Sequence, residues 1–126
     1  MKVVIPKLKH IQNVRLCEPL KYEEFLACLN RSYLVLSDSG GVQEEATALG
    51  KPVLVLRRET ERGEGIEAGA LKLVGVHGRT IFRETQKLLS DAKEYRKMSR
   101  GSDVFGDGHS SHRIIQILAK SLTKDI

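Results

Sequence analysis

Apolar positions along the chain switch between two periods. Tyr22, Phe25, Leu26 and Leu29 recur at helical spacing and predict an amphipathic helix over Tyr22 to Arg31, with Glu23 and Glu24 on its solvated edge. Tyr33-Leu-Val-Leu36 is instead a continuous apolar run bounded by polar residues, the pattern of a strand covered on both faces in a parallel sheet. Pro52-Val-Leu-Val-Leu56 and Ala70-Leu-Lys-Leu-Val74 read in the same way, and shorter strands are expected at Val3-Val4-Ile5-Pro6 and Val14-Arg15-Leu16-Cys17. A helix begins at Gly40 and stops at Gly50, with Pro52 blocking its continuation. Further helices are expected from Gly78 to Leu89, with Ile81, Thr85, Leu88 and Leu89 inward, and from Ser90-Asp91 to about Ser99. A last one, capped by Ser110 or Ser111, runs through Ile114, Ile115 and Leu118. Arg57 to Gly65 and Gly101 to Gly108 read as loops. Strands alternating with helices over short connections imply an open, mostly parallel α/β sheet.

The 126 residues are the size of a single domain, taken as residues 1–126. Hydrophobic residues at 40% and charged residues at 29% exclude a disordered chain, and no apolar run approaches the ~20 residues of a membrane span. No charged-then-apolar leader opens the sequence, so a cytoplasmic protein is expected. The net charge of +5 is scattered, and the few aromatics leave little material for stacking bases. An anionic small ligand or simple solubility therefore fits better than a dedicated nucleic-acid surface. Cys17 and Cys28 lack CxxC spacing and read as reduced, buried thiols. His109 and His112 have HxxH spacing with no third ligand nearby, so no metal site is expected. Lys93, Arg96, Lys97 and Arg100 read as a solvated helix face.

The chemistry concentrates in Leu34-Val-Leu-Ser-Asp-Ser-Gly-Gly-Val-Gln-Glu-Glu-Ala46. Open α/β sheets bind ligands beyond the carboxyl ends of their strands, where a loop hands over to a helix. A helix start presents unpaired N–H groups and about half a positive charge, so it holds phosphate if the backbone can come close. Gly40 and Gly41 remove the β-carbons that prevent that approach. At about 100° per residue, Val42, Ala46 and Leu49 form the stripe that faces the sheet, and Glu44 turns to solvent. Glu45 lies beside the stripe, about 40° from Gly41 and one turn deeper. A carboxylate there repels phosphate but accepts hydrogen bonds from sugar hydroxyls. The bland alternatives are a tight turn at the glycines and an acid that complements the helix dipole. GxGxxG and the GK[ST] of a P-loop are both missing. Arg57, Arg58 and Arg62 read as an anion site on the same edge rather than as a solvated loop.

Several motifs in one order resemble the non-hydrolysing UDP-N-acetylglucosamine 2-epimerases: Ser37 to Ala46, Leu49-Gly-Lys-Pro-Val53, Glu59-Thr-Glu-Arg62, Glu67-Ala-Gly69, and Phe105-Gly-Asp-Gly108 before Arg113-Ile114. The resemblance runs from about Val14 to Leu118. It implies a Rossmann-like sheet with helices on both faces, the C-terminal half of a GT-B-type enzyme with two such halves. Those isomerases interconvert UDP-GlcNAc and UDP-ManNAc by eliminating UDP through a 2-acetamidoglucal and adding it back, and the ManNAc feeds bacterial surface polysaccharides. By resemblance, Ser39, Gly40 and Gly41 hold the diphosphate, Glu45 the ribose, Phe25 lines the uridine pocket, and Arg62 reaches the phosphate region. No cofactor is implied. The family usually has proline where Gly63 stands, and Asn-Pro-Tyr where Asp103-Val-Phe105 stands; the glycine should loosen the loop that carries Arg62.

The family's proton-transfer carboxylates and a substrate-binding histidine have no counterpart in these residues. The chain is therefore expected to bind UDP or UDP-GlcNAc weakly, with no turnover unless an N-terminal half joins it; self-association is also expected. The alternatives are a non-catalytic nucleotide-sugar binding or regulatory module, and half of a GT-B glycosyltransferase.

Overall fold

A computed structural model describes residues 3–122. Its centre is a parallel sheet of three short strands, β1 (Val35–Ser37), β2 (Val53–Val55) and β3 (Leu71–Leu73), in the order β1-β2-β3. Val35 pairs with Val53, and Val53 with Leu71. Strand β2 is central and fully buried, and its alternation sends side chains to opposite faces. Val53 and Val55 pack with Leu29, Ala46 and Leu71 on one face, while Leu54 packs with Val74, Leu88 and Met98 on the other.

The first face is covered by α2 (Tyr22–Arg31) and α3 (Gly40–Ala48), and the second by α5 (Gly78–Ser90) and α6 (Ala92–Met98). The expected α/β layering, parallel with helices on both faces, is what the chain forms. Helix α2 has the bounds its apolar spacing predicts. Helix α3 ends as expected: Gly50 takes φ +66, its N–H donates to Thr47 O, and the Lys51 N–H donates to Ala46 O at 2.8 Å. Asp91 caps α6 by accepting from the Lys93 and Glu94 N–H groups, and Tyr95 stacks on Tyr33 with centroids 4.0 Å apart.

Several expectations fail. Val3 to Ile5 is not a strand: helix α1 (Val4–Leu8) forms there, with Pro6 in its first turn, where a missing N–H costs nothing. Val14 to Cys17 enters no strand, since no neighbour offers it a ladder among the described residues. Both cysteines are exposed: Cys17 lies on that unpaired segment and Cys28 on the outer side of α2. Leu36 and Leu89 are exposed as well, because β1 is a sheet edge and only Leu88 of the pair reaches the core. The reading of Arg57 to Gly65 as loop stops short, because α4 (Gly63–Glu67) starts at Gly63, the first-turn position where the family's proline is compatible with a helix.

After α6, Asp103–Phe105 makes a 3-10 turn inside the expected loop, and Phe105 packs against the first core face. Helix α7 (Ser110–Leu122) follows, with Ser110 and Ser111 inside its first turn and Ile114, Ile115, Ile117 and Leu118 exposed. Asp107 ties the loop to it, accepting two hydrogen bonds from the Arg113 guanidinium and one from the His109 N–H. No helix among the described residues is long and apolar enough to cross a membrane.

Candidate functional site

Strand β1 delivers the chain to its carboxyl edge at Ser37, and two residues later the backbone turns into α3. Ser39 is extended (φ −82°, ψ 128°) and makes no side-chain cap; its N–H donates to Ser37 Oγ at 3.1 Å. The Gln43 N–H donates to Ser39 O at 3.2 Å, the first backbone bond of the helix. The N–H groups of Gly40, Gly41 and Val42 therefore have no acceptor within the described residues, and they point out of the helix start.

Neither glycine is demanded by backbone geometry, since both take ordinary helical dihedrals. A Cβ at Gly41 would meet nothing within 4 Å. At Gly40 it would meet only side-chain ends, Glu61 Oε1 at 3.1 Å and Arg62 Nη2 at 3.4 Å. Those two residues come from the loop after β2, so two adjacent carboxyl edges of the sheet converge on the same corner. Ser39, Gly40, Gly41 and Arg62 are thus brought together.

The charges around the corner are paired. Glu44, expected to face solvent, turns to Arg62, with Oε1 2.5 Å from Nε; the contact is ionic and lacks hydrogen-bond alignment. Glu61 reaches Arg57 at 3.2 Å and Arg62 at 3.7 Å. Its own backbone N–H, then Arg57 and Arg62, hold the Glu61 carboxyl below the usual carboxylate range against the opposing effect of burial.

The face of α3 that meets the core is also shifted from the expected stripe. Leu49 is exposed, whereas Gln43 and Thr47 are completely buried beside Ala46. Gln43 Oε1 accepts from Thr60 Oγ1 at 3.0 Å, and Thr60 Oγ1 accepts from the Arg62 N–H at 3.2 Å. Sequence reasoning missed Gln43, Glu44, Thr60 and Glu61 as parts of this corner. The i,i+4 spacing of Gln43 and Thr47 beside Ala46 was the available signal for a buried polar pair.

Glu45 and Phe25 are not among the residues that meet at Gly40. Glu45 faces α2 and lines a hollow of about 450 Å³ with Leu26, Ala27, Asn30, Ala48 and Leu49. Its charge, and then a hydrogen bond from the phenol, raise the pKa of Tyr22 above the ordinary value. Phe25 lines a separate apolar cavity of about 640 Å³, walled by Val4, Ile5, Leu16, Pro19 and Leu20. Helix α2 thus borders both hollows, one with an acid and one with an aromatic ring.

Three parallel strands sandwiched by helices, with a glycine-led helix at the carboxyl edge of the first, define an open α/β unit of the kind found in GT-B-like enzymes. The family model described as UDP-N-acetylglucosamine 2-epimerase matches residues 1–119, and the chain belongs to that family. It is 52% identical over 113 residues to the UDP-N-acetylglucosamine 2-epimerase of Campylobacter jejuni, covering 90% of this chain and 30% of that protein. The UDP-GlcNAc 2-epimerase from Neisseria meningitidis bound to UDP-GlcNAc superposes with a TM-score of 0.89 at 42% identity, over 94% of this chain and 32% of that one. The S. aureus MnaA–UDP co-structure gives 0.88 at 40% identity, over 97% and 33%. The chain spans about 30% of the length of the curated relatives it matches.

Proposed function

We propose that residues 1–126 form one nucleotide-binding domain, the C-terminal half of a UDP-GlcNAc 2-epimerase, and that it holds the UDP moiety. The carrying observation is Gly41: it is helical, its Cβ position is open, and the N–H groups around it have no acceptor among the described residues. A residue the fold does not require to be glycine is explained by a ligand that must touch backbone. A diphosphate suits it, since the helix start offers donors and positive potential. Arg62 stands 3.4 Å from the β-carbon position of Gly40 and supplies a charge at the same place. In this reading Ser39, Gly40 and Gly41 seat the diphosphate, and Glu45 accepts hydrogen bonds from the ribose. Phe25 packs against uracil, a role its apolar cavity supports.

Epimerisation by elimination needs a base at the sugar C2 proton and a group that stabilises departing UDP. The helix start and Arg62 serve the second need. The C2 base belongs to the other half of the enzyme, so the chain alone is catalytically incomplete. Relatives at 42% and 40% identity that bind UDP-GlcNAc and UDP support the ligand assignment.

Calorimetry with UDP and uridine, followed by an assay of UDP-GlcNAc conversion, tests this. UDP should bind more tightly than uridine, the chain alone should not turn over, and mixing with an epimerase N-terminal half should restore conversion. Binding without restored turnover identifies a non-catalytic module instead; turnover by the chain alone overturns the division of labour.

A further inference from the structure

We propose that Gln43 is a positioning residue for the phosphate end of the nucleotide, acting through Thr60 on Arg62; this rests on the phosphate seat described above. Gln43 is fully buried on the face of α3 where Ala46 packs, and a buried amide costs stability unless it is hydrogen-bonded. Only half of that requirement is met: Oε1 accepts from Thr60, whereas Nε2 is buried with no partner among the described residues. An apolar side chain would cover the same surface without an unpaired donor, so packing does not account for the residue. Its effect on the loop does.

The link runs outward from the core in two bonds. Gln43 holds the Thr60 hydroxyl at 3.0 Å, and that hydroxyl accepts the Arg62 N–H at 3.2 Å, fixing the backbone where the chain enters α4. Arg62 then places its guanidinium over Gly40. The ion pair between this loop and α3, Arg62 with Glu44, joins partly exposed side chains, which solvent and salt weaken. The buried amide thereby becomes the salt-insensitive anchor of the loop. It sets where the arginine charge stands without touching the ligand.

Calorimetry of UDP and uridine against the full chain tests the role, comparing wild type with Thr60→Val, Thr60→Ser, Gln43→Leu, Arg62→Ala and the double variant Thr60→Val/Arg62→Ala. Thr60→Val should weaken UDP about tenfold, the order expected for losing one hydrogen bond, and leave uridine unchanged. Thr60→Ser should restore UDP binding, and Thr60→Val should cost nothing further once Arg62 is alanine. Because Gln43→Leu changes the core, Thr60→Val is decisive: wild-type UDP affinity, an equal loss for uridine, or full additivity with Arg62→Ala overturns the proposal. If instead Arg62→Ala leaves UDP binding unchanged, or UDP binds no better than uridine, the phosphate seat itself falls and the positioning role falls with it.

Discussion

Arg62 Nε lies 2.5 Å from Glu44 Oε1, so a guanidinium on the loop after β2 is held by an acid of the helix that starts at Gly40. The arginine also has Glu61 beside it, at 3.7 Å. The cation at the proposed phosphate seat is shared between two carboxylates of the chain, and an entering phosphate competes with them.

Glu61 stands beside the seat, its Oε1 3.1 Å from the β-carbon position of Gly40. Its charge opposes a phosphate at the same helix start. Glu61→Gln should therefore tighten UDP by about threefold to tenfold, since it removes a like charge beside the phosphate. The gain should shrink as salt rises. Calorimetry at low and high ionic strength measures it, and weaker binding by the variant would contradict the competition.

Gly41→Ala separates ligand from fold. The added methyl meets nothing within 4 Å, and alanine is the better helix residue by up to ~1 kcal/mol. Thermal unfolding should show a midpoint equal to or above wild type, while UDP affinity drops as the methyl blocks approach to the amides. A stable variant that binds UDP like wild type would show that the glycine is not there for a ligand.

The α5–α6 junction should respond to acid. Glu94 pairs with Lys87 at 2.8 Å and with Lys97, and hydrogen bonds from these lysines lower its pKa from 4.5 to about 2. A carboxylate with a depressed folded pKa stabilises the fold above its unfolded value and loses that contribution as pH falls. The loss should therefore run from about pH 4.5 down to about 2. Glu94→Gln should flatten this part of the pH–stability profile, and NMR titration of the Glu94 side chain should find its midpoint well below 4.5. A midpoint at the ordinary value removes the link.

Gly65 presents the opposite case to Gly41. It is buried, and a Cβ there would stand 2.4 Å from Leu71 Cδ1 and 2.9 Å from Phe105 Cζ. Gly65→Ala should destabilise the chain by about 1–3 kcal/mol through overpacking, despite the gain in helix propensity. Urea unfolding reads this directly, and an unchanged midpoint would mean that α4 moves off β3 freely.

Much of the layering was legible in the residues. Tyr22, Phe25, Leu26 and Leu29 gave α2 its bounds, and Gly50 with Pro52 gave the end of α3. The beginning of the chain was not legible. Val3-Val4-Ile5 has strand-forming residues, yet a strand needs a neighbour to accept its backbone bonds, and the segment forms α1 instead. The candidate corner was legible in part: the glycine-led helix start reads from the residues and the structure brings Arg62 to it, whereas Glu44, which reads as solvent-facing, pairs with that arginine.

What the sequence by itself determined is local: the helical and extended periods, the glycine that ends α3, and a helix start stripped of β-carbons. Those follow from neighbours along the chain, whose geometry is set by backbone dihedrals. What only the tertiary structure decided is partnership across the chain: Thr60 with Gln43, seventeen residues away, and Arg62 with Glu44. Long polar side chains choose among acceptors by position in space, and no periodicity encodes which carboxylate or amide the fold brings within reach.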